Sequence, residues 1–313
     1  MMNKLKITGT FIDEISHDIP HQNWGAKEWS KDFEYMKQIG IKRIVLIRCG
    51  YKAWLTYPSE VLIKQEKAIP PYTDLVQLFL DLCEKNQMEF YFGLYDSGNY
   101  WVNENYKKEI SLNKKVIEEV WAKYGHNPAF KGWYLSQECN KKTGDIISLY
   151  SELGAFCKKT SGGQQVLISP YIDGIKNLSQ YTQQTEKQNS ISLDQHFKNW
   201  EEIFAAIRSA VDFVAFQDGH VGYQELGEFI KINKLLADQN GLVSWINTES
   251  FDRDMPIKFL PIKWDKMRYK LEVAKKAGIE EALTFEFSHF MSPQSAYSQA
   301  GHLYNRYLEY LNF

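Results

Sequence analysis

Short apolar runs alternate with longer amphipathic stretches along the chain. The runs are Lys6–Ile12, Arg43–Arg48, Glu89–Leu94, Phe130–Leu135, Gln165–Ser169, Phe213–Gln217, Leu242–Asn247 and Ala282–Phe287. Each is about six residues long with little internal charge, the pattern of strands covered on both faces. The stretches between them repeat apolar residues at the helical spacing. They predict helices over Lys27–Ile39, Leu75–Lys85, Leu112–Tyr124, Thr143–Lys159, Leu193–Ala210, Tyr223–Asp238, Trp264–Ala277 and Ser295–Leu311. Gly40 and Gly278 stand where the first and seventh helices should stop. The polar stretch Gln180–Ser192 reads as a long loop.

Eight strands, each followed by a helix, is the count of a (β/α)₈ TIM barrel, an α/β fold. A doubly wound sheet is the rival. It often carries a Gly-rich phosphate turn after its first strand, and Ile7-Thr8-Gly9-Thr10-Phe11-Ile12-Asp13 has no GxGxxG. No linker or composition shift divides the chain, so residues 1–313 are expected to form one barrel domain.

Charge removes one class of partner. With 37 Lys+Arg against 39 Asp+Glu the net charge is −2, which leaves no basic footprint for nucleic acid. No apolar stretch approaches the roughly 18 residues of a membrane span. Cys49, Cys83, Cys139 and Cys157 are far apart and form no CxxC pair, against a metal motif or disulfide framework. Cys83 and Cys157 fall on apolar helix faces and read as buried thiols. The unusual quantity is aromatic content, 15% of residues, because flat rings stack on flat ligand faces.

Barrel active sites sit at the C-terminal ends of the strands. Asp13, Glu14 and His17 follow the first run, with Trp24 further on; Arg48, Tyr51 and Trp54 follow the second. Tyr95, Asp96 and Trp101 follow the third, Gln137 and Glu138 the fourth, and Tyr171 the fifth. Gln217 and Asp218 follow the sixth, Asn247 and Glu249 the seventh, Glu286 and His289 the eighth. With Trp245 in the seventh run, these residues make a mouth of polar groups and rings suited to a carbohydrate. Trp29, Trp121, Trp200 and Trp264 lie in helical patterns and read as packing.

Glu138 and Glu249 follow strands on opposite sides of the mouth, so two carboxyls are placed to flank one bond. Glycoside hydrolysis needs such a pair: one protonates the leaving oxygen, the other attacks the anomeric carbon or activates water. Either glutamate alone also reads as a solvated or salt-bridged side chain, and Glu286 is an alternative second carboxylate. Asp13 and Glu14 read equally as turn or cap residues. Arg48 either orients a catalytic carboxylate or pairs with Asp13 or Glu14. His17, His220 and His289 come from separate loops without HxH or HExxH spacing, so neither a metal nor a cofactor is expected.

The placement of Glu138 and Glu249 resembles the clan of retaining (β/α)₈ glycoside hydrolases. That resemblance implies Glu138 as acid/base and Glu249 as nucleophile. The clan usually has Asn before the acid/base, touching the sugar 2-hydroxyl; here Gln137 stands there. The N-terminal run from Ile7 to Pro20, the segment Gln22-Asn23-Trp24-Gly25, and Tyr35–Ile41 leading to Ile47-Arg48-Cys49-Gly50-Tyr51 resemble the domain of unknown function 4434 family. That family implies a glycoside-hydrolase-like TIM barrel. The start of the chain has no apolar signal region; the family resemblance implies an exported protein whose leader has been removed. The alternatives are a barrel that holds sugars without turnover, and a metal-dependent hydrolase using the histidines and Asp218.

Overall fold

The computed structural model describes residues 4–16, 19, 21–174, 191–253 and 259–312. Eight parallel strands close a barrel: β1 (Ile7–Ile12), β2 (Arg43–Leu46), β3 (Glu89–Gly93), β4 (Phe130–Leu135), β5 (Gln165–Ile168), β6 (Phe213–Gln217), β7 (Val243–Glu249) and β8 (Ala282–Phe285). Each strand pairs with its sequence neighbours, and β8 closes on β1. The main helices are α1 (Ala26–Gln38), α2 (Leu75–Asn86), α3 (Tyr106–Tyr124), α4 (Ile146–Ser161), α5 (Leu193–Ile207), α6 (Tyr223–Gln239), α7 (Trp264–Lys276) and α8 (Ser298–Asn312). The expected (β/α)₈ architecture is therefore present. Most of the expected Gln180–Ser192 loop lies outside the described residues.

Local chemistry explains the elements. α1 buries Trp29, Phe33 and Met36 on one face and is followed by Gly40 at φ +87°, a left-handed turn that favours glycine. α2 starts at Asp74, whose carboxylate accepts from the Gln77 N–H at 3.0 Å. α5 opens with a capping box between Ser192 and Gln195.

The strands bury both faces. Inward residues, including Phe11, Val45, Tyr91, Tyr134, Leu167, Ala215, Trp245 and Leu283, fill the lumen. Outward residues join the helices in a larger core. At the lower end Trp245 stacks on Phe213 at 4.2 Å, and the Arg43 guanidinium lies 4.8 Å from the Trp245 ring. All four cysteines are free and buried.

Three devices at the upper end were not visible in the pattern of apolar positions. Trp54–Leu55, Gly50–Tyr51 and Tyr95–Asp96 form a small sheet that continues β2 and β3 above the mouth. Phe251–Asp252 pairs antiparallel with Leu260–Pro261 beyond β7. Strand β8 stops at Phe285 rather than Phe287, because Phe287–Phe290 turns into a short helix capped by Glu286.

Candidate active site

Period-two alternation aims Trp245, Asn247 and Glu249 of β7 into the lumen, with Glu249 uppermost. Glu138 lies three residues past the end of β4. Both glutamates line one cavity of about 90 Å³, with Asp13, Arg48, Gln217 and Arg253 around it.

The two carboxyls are held in different electrostatic surroundings. Burial raises the Glu138 carboxyl above its ordinary range, partly offset by Arg48 and by hydrogen bonds from Tyr134 and Gln217. The Tyr134 hydroxyl donates to Glu138 Oε1 at 2.7 Å. Burial also acts to raise Glu249, but Arg253, Lys270 and His220 outweigh it and bring the carboxyl down to about 2. Arg253 donates Nε to Oε2 at 2.9 Å and Nη2 to Oε1 at 2.7 Å, a two-pronged contact. Near neutral pH Glu249 is therefore ionised, and Glu138 is the better proton holder. Environments that split two carboxyls in this way suit one to acid and the other to anionic chemistry.

A buried framework fixes Glu249. Its N–H donates to Asp218 Oδ1 at 3.0 Å, and Lys270 Nζ donates to the same oxygen at 2.7 Å. Gly219 lets the backbone pass against the carboxylate: a Cβ there would stand 1.9 Å from Glu249 Oε2. Sequence reasoning missed Arg253, Lys270, Gly219 and Tyr134. Lys270 carried a signal, since it occupies the buried face of α7 between Met267 and Ala274. A lysine there needs a charged partner.

The other expected residues divide by depth. Asp13, Arg48 and Gln217 line the mouth with the glutamates. Arg48 pairs with Asp96 at 3.3 Å and lies 5.1 Å from the Tyr51 ring. Asp96 in turn accepts from Trp101 Nε1 at 2.9 Å, so Asp96 and Trp101 support Arg48. Tyr171 sets its ring 5.3 Å from His220. Asn247 lies deeper, donating to Ser169 Oγ at 3.1 Å. Glu14, Trp24 and Trp54 line an adjoining groove rather than the cavity between the carboxyls. His17 lies outside the described residues.

Four expectations need correction. Trp245 belongs to the lower plug with Phe213 and Arg43, four residues down the strand from Glu249, and does not face the mouth. Gln137 turns outward: its amide donates to the Tyr95 carbonyl and to Glu109 Oε1, each at 2.9 Å. Tyr95 is buried in the outer core with its hydroxyl on the Lys52 carbonyl at 2.8 Å. Glu286 is fully buried; its oxygens accept from the Ser288 and His289 N–H groups, and it also contacts His289 Nδ1. Those contacts commit the Glu286 carboxylate to the short helix and to His289. Among the described residues, no group of three or more His, Cys, Asp or Glu gathers as a metal site, and no helix is long and apolar enough to cross a membrane.

No curated protein matches the chain in sequence. A crystal structure from Bacteroides thetaiotaomicron bearing the provisional name alpha-L-fucosidase is 54% identical, with TM-score 0.94 over 99% of this chain and 94% of that one. An endo-1,4-beta-D-mannanase from Thermotoga petrophila is 11% identical, with TM-score 0.55 over 90% of this chain and 88% of that one. A beta-galacturonidase from Eisenbergiella tayi is 13% identical with TM-score 0.55; 90% of this chain covers 44% of that larger protein. The two distant likenesses show the fold alone. The model of the domain of unknown function DUF4434 matches residues 7–297, so the chain belongs to the DUF4434 family and has the barrel of the glycoside hydrolases.

Proposed function

We propose that the chain is a retaining glycoside hydrolase with Glu138 as acid/base and Glu249 as nucleophile. One observation carries this reading: a carboxyl just past β4 and one at the end of β7 line the same cavity, one shifted up and the other held near 2. In the first step Glu249 Oε attacks the anomeric carbon while Glu138 gives its proton to the departing glycosidic oxygen. In the second, Glu138 takes a proton from water as that water displaces Glu249. The 54% identical relative makes an alpha-L-fucoside the first substrate to try. The site would meet an exported or a cytoplasmic glycan equally well, and its chemistry uses no cofactor.

The test is a panel of aryl glycosides, alpha-L-fucoside included, against wild type and Glu138→Gln. General acid–base catalysis contributes about 10²–10⁴-fold, so Glu138→Gln should lose turnover by that factor. Unchanged turnover would remove Glu138 from the role. The anomer first released, read by NMR, distinguishes retention from inversion. A second reading, sugar binding without turnover, is favoured by the grip of Arg253 on both Glu249 oxygens. Binding by wild type and Glu138→Gln, with no turnover by either, would select it.

A further inference from the structure

A second feature lies beside the mouth. Trp24, Trp54, Ile69 and Tyr72 line an open groove of about 300 Å³. Trp54 is 58% exposed, Ile69 46% and Tyr72 105%. Large apolar side chains left in water side by side mark a binding surface more often than chance. Here they account for three of the seven exposed large hydrophobics among the described residues.

We infer that this groove binds successive sugar rings of an extended glycan whose adjoining unit enters the mouth, so that the substrate class is an oligo- or polysaccharide rather than a single-sugar glycoside. The inference rests on the glycosidase reading of the mouth for its catalytic part only. Three observations support it. The groove and the mouth share one short segment: Asp13 and Ser16 line the cavity of the carboxyls, while Glu14 and Ile15 line the groove. A chain can therefore cross from one to the other over four consecutive residues. The rings stand on fixed backbone. Trp54 pairs with Tyr51 in the small sheet, the Ile69 N–H donates to the Ala53 carbonyl at 2.7 Å, and Tyr72 follows Pro70-Pro71. A backbone already held in place leaves less to order when a ligand binds. Finally, Glu14 and Asn23 supply hydrogen-bonding groups beside the rings. Flat apolar faces edged by polar groups match pyranose rings, which are apolar on their faces and carry hydroxyls at their edges.

Native gels cast with soluble xyloglucan, galactomannan, arabinan, homogalacturonan or α-mannan provide the test. The full chain should be retarded by at least one of these. Trp54→Ala and Tyr72→Ala should each weaken that retardation about tenfold, the effect of losing one aromatic contact of about 1.4 kcal/mol. Tyr269→Ala, which removes an exposed ring outside the groove, should leave it unchanged. Thermal melts confirm that the variants fold. On oligosaccharides cut from the retarding polymer, kcat/KM should climb with chain length in wild type and flatten in Trp54→Ala. No retardation by any polymer, or equal retardation of all variants, overturns the groove even if aryl glycosides are hydrolysed. Retardation lost in Trp54→Ala, with no turnover by any variant, supports the groove and overturns the catalytic reading of the mouth.

Discussion

Gly219→Ala is the smallest change that should disable the site. The added Cβ would lie 1.9 Å from Glu249 Oε2, 2.1 Å from Cδ and 2.1 Å from Oε1. Non-bonded heavy atoms settle at about 3.5–4.0 Å, so carboxylate and backbone must separate by roughly 2 Å. The carboxylate has little freedom to yield. Arg253 holds both its oxygens, and its backbone is tied through Asp218 to Lys270. Misplacing a reacting group by about 1 Å can cost 10²-fold, and overpacking costs about 1–3 kcal/mol of stability. The expected result is a fall in kcat of about a hundredfold, with a melting shift of only several degrees. The assay is steady-state turnover of the best aryl glycoside beside calorimetry. Gly301→Ala is the control, since its Cβ would meet nothing nearer than 3.5 Å. A Gly219→Ala enzyme within twofold of wild type would show that Glu249 is not the attacking group.

Other outcomes follow from the same geometry. Activity requires Glu249 ionised, above about pH 2, and Glu138 protonated, below its raised pKa. It should therefore decline as pH rises through the Glu138 value; a pH–rate profile with the same alkaline limb in Glu138→Gln would contradict this. Burial raises the Glu109 carboxyl to about 7, from 4.5, against hydrogen bonds from Ser97 and Gln137. The folded chain then keeps a proton that the unfolded chain has released, so stability falls as pH climbs from about 4.5 to about 7. Glu109→Gln should remove a part of that fall of order 3 kcal/mol, read from urea melts at pH 5 and 8; parallel curves for variant and wild type would refute it. Gly301→Ala, inside α8, should raise stability by about 0.5–1 kcal/mol in the same melts, and a loss would show that the helix has no room there.

The barrel was legible because its strands are apolar on both faces and its helices on one. Of the candidate site, what depends on which strand a residue follows was legible: Glu138, Asp13 and Arg48 line one cavity. What escaped depends on depth and on polar burial. Trp245 and Glu249 share one face of β7, yet four residues of strand separate them by about 13 Å along the chain. The first turns of α3 were missed because Glu109 and Asn113 sit on their inward face, where apolar residues are expected. Glu109 accepts from Ser97 Oγ at 2.5 Å, and Asn113 Oδ1 accepts from the Tyr95 N–H at 3.0 Å. That network holds the loop behind Asp96, and it turned Gln137 away from the mouth. Glu286 looked free in the sequence because the short helix it caps has too few residues to show a period.

The four sealed thiols give the protein a built-in unfolding reporter. Cys49, Cys83 and Cys157 are fully enclosed, Cys139 is 3% exposed, and burial pushes every thiol upward, that of Cys139 to about 12. They are spread from the end of β2 through α2 and the β4 loop to α4. A disulfide-exchange dye or alkylating agent therefore meets no reactive sulfur while the chain stays folded. Each labelling event records an opening of its own neighbourhood, and comparing the four rates ranks the local stabilities of that half of the barrel. The same enclosure makes the folded chain indifferent to the redox poise of its surroundings.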